Sequence, residues 1–571
     1  MPGRARRPAQ DPVLALLGAA LLAAALLLLH WGSRLTFLLD DWEFLLYRQG
    51  FTAHSILSPH GEHISIAPVL IYKGLLATVG MDSSLPFLAV ENAFFLASAA
   101  LLFVYLHRRV DGFLALLAAV IVLFLGPAYD DLLWIASWSF TGSLACGLGA
   151  LLLLERGDRR GDVLACVLLS VGMTFGSLGL AFIAAASVDV GLRGDRLRRL
   201  YVVALPALLY AVWWAGWGHA ADTALSFHNA ATTPNFVLDA ASAVLASLFG
   251  LVQTNQSVVA DKFTWGQPLL LAGVGLAVWR VYQIGRVPRE LWVALALAGT
   301  FWVLAGLNVK PGRGPTESRY LLPGAVFVLM IAGELLRGVR VPRPAIVLAY
   351  LGGVAILIAN VSVLRDAYLA YRGTSDLIKA DLGALEISRD DLAAPLFLSE
   401  DIADTAYVPV LSGLYLPAAD RYGSPADSPD QIAAAPEPAR VAADKVLGRA
   451  LAVSFRPVRR PPRASGPPPQ VTVPPAAGAR RHGSCVELGA GSSEAILRLP
   501  PGGAIVHASR QAGVIVGLRR FATASFPLSG LPIAAGEIGL ARIPTDLATR
   551  PWEMELSSPA LTTVCGGVSP Q

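Results

Sequence analysis

Ahead of Arg365 the chain is a succession of apolar runs of roughly 14 to 23 residues, most of them long enough to cross about 30 Å of hydrocarbon as helices. Lipid offers the backbone no hydrogen-bond partners, so runs of this kind must satisfy themselves as helices. Of the 571 residues, 54% are hydrophobic and only 15% charged, where a soluble domain carries about a quarter charged residues. After Arg365 the composition becomes ordinary. The net charge of +4 is small. The basic residues sit in short loops rather than on one face, which excludes a nucleic-acid footprint. Lysine occurs only at 73, 262, 310, 379 and 445, and the other basic residues are arginine. With abundant Ala, Gly and Pro, this is the composition of a high-GC bacterium.

The fold class expected is an all-α polytopic membrane bundle of about eleven transmembrane helices, followed by an extracytoplasmic α/β and β-sandwich-like domain. The first run, Val13 to Leu29, follows Arg4, Arg6 and Arg7. It precedes a bulky segment without a small-x-small cleavage site, so it reads as an uncleaved first helix. Ten further spans are expected at 84–106, 111–127, 134–154, 162–175, 177–191, 200–217, 267–284, 290–307, 320–336 and 345–364. With eleven crossings, the arginine clusters at 108/109, 156/159/160, 193/196/198/199, 280/286/289 and 337/340/343 all share one side with the N-terminus. That side is then the cytoplasm. The apolar stretches 65–80 and 236–252 are expected not to cross, because crossings there would move arginine clusters outside.

The expected organisation is a transmembrane domain over 1–364, with external loops at 31–83 and 218–266. An extracytoplasmic α/β segment follows at 365–455, then a Pro/Arg-rich linker or loop at 456–483 and a small β-rich domain at 484–571. Proline removes backbone donors and extends the chain, hence the linker reading. Cys485 and Cys565 bracket the last segment. A disulfide there would close a long loop, contributing about 4–5 kcal/mol in the chain-entropy model; two buried free thiols are the alternative. Cys146 and Cys166 read as inert core residues. Long loops on one side only place the chemistry on that side.

Asp40 and Asp41, in Leu39-Asp40-Asp41-Trp42-Glu43, follow the first span directly; carboxylates at a membrane surface are costly unless they serve hydration, a metal or catalysis. His60, Glu62 and His63 pack two imidazoles and a carboxylate into four residues. They are the candidate ligands of a divalent metal, a solvated polar loop being the alternative. Asp130 and Asp131 form a second acidic pair in the next outer loop; a helix cap is the alternative. Lys310, Arg313 and Arg319 stand on the outer side against the positive-inside trend, and an arginine there suits a phosphate. Trp213, Trp214 and Trp217 read as an interfacial belt rather than a sugar platform. No phosphate-cradling glycine loop, CxxC pair or nucleophile elbow occurs, so no nucleotide cofactor is expected.

Taken together, Asp40-Asp41 after the first span, Asp130-Asp131 in the second outer loop and Ser318-Arg319-Tyr320-Leu321-Leu322-Pro323 opening a late span resemble the GT-C class of membrane glycosyltransferases. This class holds protein mannosyltransferases, aminoarabinose transferases and oligosaccharyltransferases. The resemblance covers residues ~12–364. It implies a polyprenyl-phosphate-linked sugar donor and a glycan, lipid or protein acceptor at the outer face of the plasma membrane. Asp40 or Asp41 would act as base or acceptor positioner. Asp130, Asp131, Arg313, Arg319, Tyr320 and Lys73 would contact substrate, Arg319 gripping the donor phosphate. Glu62 with His60 and His63 would hold a metal. No WWD-type signature occurs in the C-terminal part, which disfavours asparagine glycosylation.

Two other classes compete. A transporter or flippase of lipid-linked glycans would need ionisable groups inside spans. Glu91, nearer the outer end, and Asp189 and Glu334, near the inner end, are a thin supply. A non-enzymatic anchor would explain the β-rich tail but not the acidic first loop.

Overall fold

The computed structural model describes residues 12–254, 262–390, 392, 395–398, 410–464, 466–475, 478–525, 533–543 and 550–567. Arg4, Arg6 and Arg7 lie outside them. The chain divides into two compact units that do not follow chain order. The first is Met1–Leu35, Arg48–Val79 and Ser84–Arg372; the second is Thr36–Tyr47, Gly80–Ser83 and Gly373–Gln571. The acidic first-loop motif therefore belongs to the second unit rather than to the helical one.

The first unit is helical. In order it holds α1 (Pro12–Gly32), α2 (Ala53–Leu57), α3 (Ile66–Val79), α4 (Leu85–His107), α5 (Gly112–Leu123), α6 (Tyr129–Leu133), α7 (Trp138–Leu154) and α8 (Arg159–Phe175). There follow α9 (Leu178–Gly191), α10 (Arg196–Arg199), α11 (Tyr201–Gly216), α12 (Phe227–Leu248), a two-stranded antiparallel pair of β1 (Val252–Gln253) and β2 (Lys262–Phe263), α13 (Gly266–Ile284), α14 (Arg289–Leu307) and α15 (Ser318–Leu335). The first part of α16 (Arg343–Ile387) completes it. Every run expected to cross is helical. Among the described residues, however, only six helices are long and apolar enough to span a bilayer, or seven if the bent pair of α5 and Gly126–Leu133 counts as one. The shortfall from eleven has two causes, length and composition: α13, at 19 residues, is long enough but carries too many polar residues to be as apolar as the six. At 1.5 Å per residue, helices of 14 to 17 residues such as α9, α11 and α8 reach roughly 21–26 Å, short of the hydrocarbon thickness. Helices α7 and α9 meet closely, for a Cβ on Gly147 would stand 2.2 Å from the Phe182 ring.

One end of the bundle is tied by arginines. Arg109 is buried and pairs with Glu155 and with the fully buried Glu334, which also accepts from Tyr105 at 2.7 Å. Arg108 reaches Glu155 at 2.9 Å, and Arg337 reaches Glu334 and Glu290 at 3.8 and 3.9 Å. Asp189 takes Arg193 at 2.9 Å and Arg289 at 3.1 Å, and Arg199 donates to Asp162 at 2.8 Å. Members of four of the five arginine clusters are thereby joined across α4, α8, α9, α14 and α15.

At the opposite end the loops knit together. Trp213 Nε1 donates to Leu57 O at 2.8 Å, Lys310 pairs with Asp222 at 2.7 Å, and Asn308 accepts from the Ala224 N–H at 2.6 Å. The stretches expected not to cross both lie at this end. Tyr72 of α3 packs against Trp138 and Phe87, which open α7 and α4. In α12, Thr233 abuts Gly306 at the end of α14. Ser247 accepts at 3.1 Å from Asn360, whose Oδ1 takes the Gly126 N–H after α5. Both ends of α12 thus face helix termini on the side away from the arginines.

The second unit holds α17 (Ser412–Tyr422), α18 (Pro429–Ala434) and α19 (Glu437–Ala450), with ten strands. The strands are β3 (Ser454–Pro457), β4 (Gln470–Val473), β5 (Ala479–His482), β6 (Cys485–Leu488), β7 (Gly491–Arg498), β8 (Ala504–His507), β9 (Ile515–Arg519), β10 (Ile538–Arg542), β11 (Glu553–Ser558) and β12 (Thr562–Gly566). They form two antiparallel sheets, β3-β10-β8-β12-β6-β5 and β4-β7-β11-β9. Alternation buries one face, as in Met554 and Leu556 of β11 beside half-buried Glu553 and Glu555. The Pro/Arg-rich stretch read as linker or loop over 456–483 contributes β4, β5 and the end of β3. Its prolines flank these strands, and Pro457 sits at a strand end on a sheet edge, where a missing donor costs no ladder bond. Cys485 and Cys565 are disulfide-bonded partners in β6 and β12.

Candidate functional site

The Pro59–His63 motif folds back on itself. His60 and His63 exchange backbone hydrogen bonds at 2.9 Å, and Gly61 between them takes a φ of +55°, which a residue lacking Cβ accepts without strain. The turn carries Glu62 and His63 into a cavity of about 180 Å³ inside the first unit. Its polar end is made by Glu62, His63, Ser177, Asn308 and Tyr320; its body is aromatic and aliphatic, with Phe140, Tyr210, Trp214, Phe301 and Leu304. Tyr320, at the start of α15, is held edge-on by Phe140, Phe236 and Phe301 at 6.0–6.3 Å. Trp214 stacks on Tyr210, while Trp213 is buried in packing, so only Trp214 of that pair lines the cavity.

Charge at the polar end is paired. Glu62 Oε1 takes Arg313 and, at 3.2 Å, His63 Nε2. His63 Nδ1 lies 2.7 Å from Ser177 Oγ. Among the described residues no group of three or more His, Cys, Asp or Glu side chains is placed to hold a metal ion, the triplet of His60, Glu62 and His63 included. Glu62 Oε1 is taken up by Arg313 and His63.

A second cluster flanks the first three residues of α15. Ser318 Oγ accepts from the Asp130 N–H at 2.9 Å, and Asp130 Oδ1 accepts from Tyr371 at 2.5 Å. Arg319 donates to Gly312 O at 3.4 Å, and its charge acts on both Asp130 and Asp131. Asp131 is fully buried, and neither carboxylate oxygen finds a hydrogen-bond partner among the described residues. It lies close enough to the buried Glu91 for their charges to interact, and Glu91 accepts from Thr141 at 2.9 Å. In the neighbouring loop, burial raises the Glu317 carboxyl above its ordinary pKa, and Arg319 opposes that rise. The segment Ser318-Arg319-Tyr320 therefore touches both clusters.

Asp40 and Asp41 sit in the second unit and differ from each other. Asp41 is fully buried and accepts from the Leu38 N–H at 2.8 Å, closing a turn in which Leu39 has a φ of +45°. Trp42 beside it is sealed between Phe37 and Tyr415. Asp40 is only half-buried. Lys73 is not brought to the cavity: its Nζ donates to the Arg48 and Gly50 carbonyls and lies over the Phe51 ring. Ser177 and Asn308 are cavity residues that reading along the chain did not single out. The one local signal was the glycine-flanked break between α8 and α9. Ser177 meets His63 across 114 positions of sequence, too far for any local motif.

The fold and site define a helical, apolar unit with an amphipathic cavity, joined in one chain to a β-rich unit. No protein-family model matches the sequence, and no curated protein matches it. Among solved structures, the cryo-EM structure of arabinosyltransferase EmbB from Mycobacterium smegmatis is similar over 98% of this chain and 66% of its own, with a TM-score of 0.36 and 12% identity.

Proposed function

We propose that this protein is a multi-pass membrane glycosyltransferase. It would move a sugar from a polyprenyl-phosphate donor to a cell-envelope acceptor on the face away from the arginine clusters. The observation that carries this reading is the cavity, apolar along its body and lined at one end by Glu62, His63, Ser177, Asn308 and Tyr320, with Arg313 held on Glu62. That is the chemistry of a lipid with an anionic head. In the transfer the acceptor hydroxyl loses its proton to a carboxylate, its oxygen bonds to the anomeric carbon, and the phosphate leaves with the electron pair of the broken bond. Asp40 is our candidate base. Arg313 and Arg319 are the candidates for the charge growing on the phosphate. The test is transfer from a panel of labelled polyprenyl-phosphate sugars to envelope glycan by the full chain in nanodiscs. Asp40→Asn should lower kcat by about 10²–10⁴-fold with the thermal melt unchanged. Full activity in that variant would remove the base and, with it, the core of the mechanism.

A second reading is favoured by one observation: Glu91 and Asp131 form a buried acidic pair inside the bundle, the kind of group a proton-coupled transporter uses. Proton-dependent movement of a lipid-linked glycan across vesicles, with no new glycosidic bond, would favour it.

A further inference from the structure

Ser177, His63 and Glu62 form a connected series at the polar end of the cavity, and the glycosyl-transfer reading gives none of them a covalent role. Ser177 Oγ stands 2.7 Å from His63 Nδ1, and His63 Nε2 stands 3.2 Å from Glu62 Oε1. All three line the cavity. An imidazole with a carboxylate on one nitrogen is fixed in the tautomer that leaves the other nitrogen able to accept a proton. Here the carboxylate holds Nε2–H, so Nδ1 faces the hydroxyl as acceptor. Glu62 is itself anchored by Arg313, and its Oε2 is buried without a hydrogen-bond partner among the described residues. Ser177 also occupies the N-cap position of α9, a helix of 14 residues. The start of a helix carries partial positive charge, which is where an oxyanion on a carbonyl bound to Ser177 would gather its own.

We infer that Ser177 is a nucleophile activated by His63 and that the cavity hydrolyses an ester with an apolar body. Ser177 Oγ bonds to the carbonyl carbon while its proton passes to His63 Nδ1. The ester C–O bond then breaks, and the departing alkoxide takes that proton and leaves as the alcohol. Water reverses the sequence: its oxygen bonds to the acyl carbon, its proton goes to His63 and on to Ser177 Oγ, and the acid is released. Glu62 is a positioning residue, acting through the imidazole. Phe301, Leu304 and Trp214 supply the apolar wall for the acyl or alcohol chain.

The experiment treats the full chain in detergent with an alkyl fluorophosphonate and maps the adduct by peptide mass spectrometry. One adduct per chain on Ser177 is expected in the unaltered protein, a measurement that needs no variant to fold. Ser177→Ala should abolish it, His63→Ala should slow it at least 100-fold, and Glu62→Gln at least tenfold with Ser177 still the labelled residue. An unmodified Ser177, under conditions that fully label a known serine hydrolase in the same detergent, overturns the inference. So does a labelling rate unchanged in His63→Ala. Neither result depends on a sugar donor, so glycosyl transfer stands or falls separately.

Discussion

Asp381 lies well beyond the apolar part of α16, fully buried, and neither of its carboxylate oxygens has a hydrogen-bond partner among the described residues. Burial pushes its pKa up to about 8, with Lys445 opposing; an ordinary Asp titrates near 3.9. Between those values the folded chain keeps a proton that the unfolded chain has lost. Stability at this residue is therefore full below about pH 4 and declines as pH climbs toward 8. Asp381→Asn should flatten that decline and stabilise the protein at pH 8 by on the order of 2–5 kcal/mol. Denaturation of the full chain at pH 5, 6.5 and 8 checks this, and an unchanged slope in the variant would count against it. Nothing around Asp381 in the sequence marks it, since its isolation arises from packing. The same holds elsewhere. Asp40 and Asp41 look alike in sequence, yet Asp41 is fully buried and closes a turn while Asp40 is half-buried, and Lys73 donates to backbone carbonyls. Glu62, His63 and Tyr320 were legible because short polar motifs between apolar runs stand out; Ser177 was not, because its partner is remote.

Among the elements, α15 and α19 show two ways to bury a carboxylate. Glu334 on α15 is held by Arg109 and Tyr105. Glu334→Ala would leave Arg109 buried and partly uncompensated, a change that costs roughly 3–5 kcal/mol; a lowered melting temperature in detergent is the measurement. On α19, Asp444 accepts the backbone N–H groups of Arg520, Phe521 and Ala522 at 2.8–3.0 Å. Glu437, seven residues earlier and on the same face, takes those of Thr523 and Ala524. The helix thus satisfies a five-residue loop that has no ladder of its own. Asp444→Ala strands three buried donors and should cost about 2–4 kcal/mol, seen as an earlier unfolding midpoint. Helix positions were readable from hydropathy, since a 3.6-residue repeat is not needed when all sides are apolar. That α3 and α12 keep to one end was readable from the placing of arginines. The strands of 454–482 were hidden, because proline argues against a strand in general but not at an edge or an end.

At the scale of the whole molecule, the division into units could not be read along the chain. Residues 36–47 and 80–83 join a unit otherwise made of residues after 372, and only contacts reveal such an interleaving. The disulfide was legible as an expectation from two cysteines bracketing a β-rich segment. Its bond closes a separation of 80 residues. Cys565→Ser should lower the stability of the second unit by about 2–5 kcal/mol, and dithiothreitol should do the same to the unaltered chain. Equal unfolding curves with and without reductant would contradict this.

The salt links among Arg109, Arg199, Arg289 and their acids form only once helices distant in sequence have met. On the topology proposed above, those arginines would bias which way each segment faces as it is threaded into the bilayer, and acids weigh little in that bias. In the folded chain Glu155, Asp162, Asp189 and Glu334 pair with those same arginines. Removing an acid should therefore yield a correctly threaded but fragile protein, whereas removing the arginines should yield chains inserted the wrong way round.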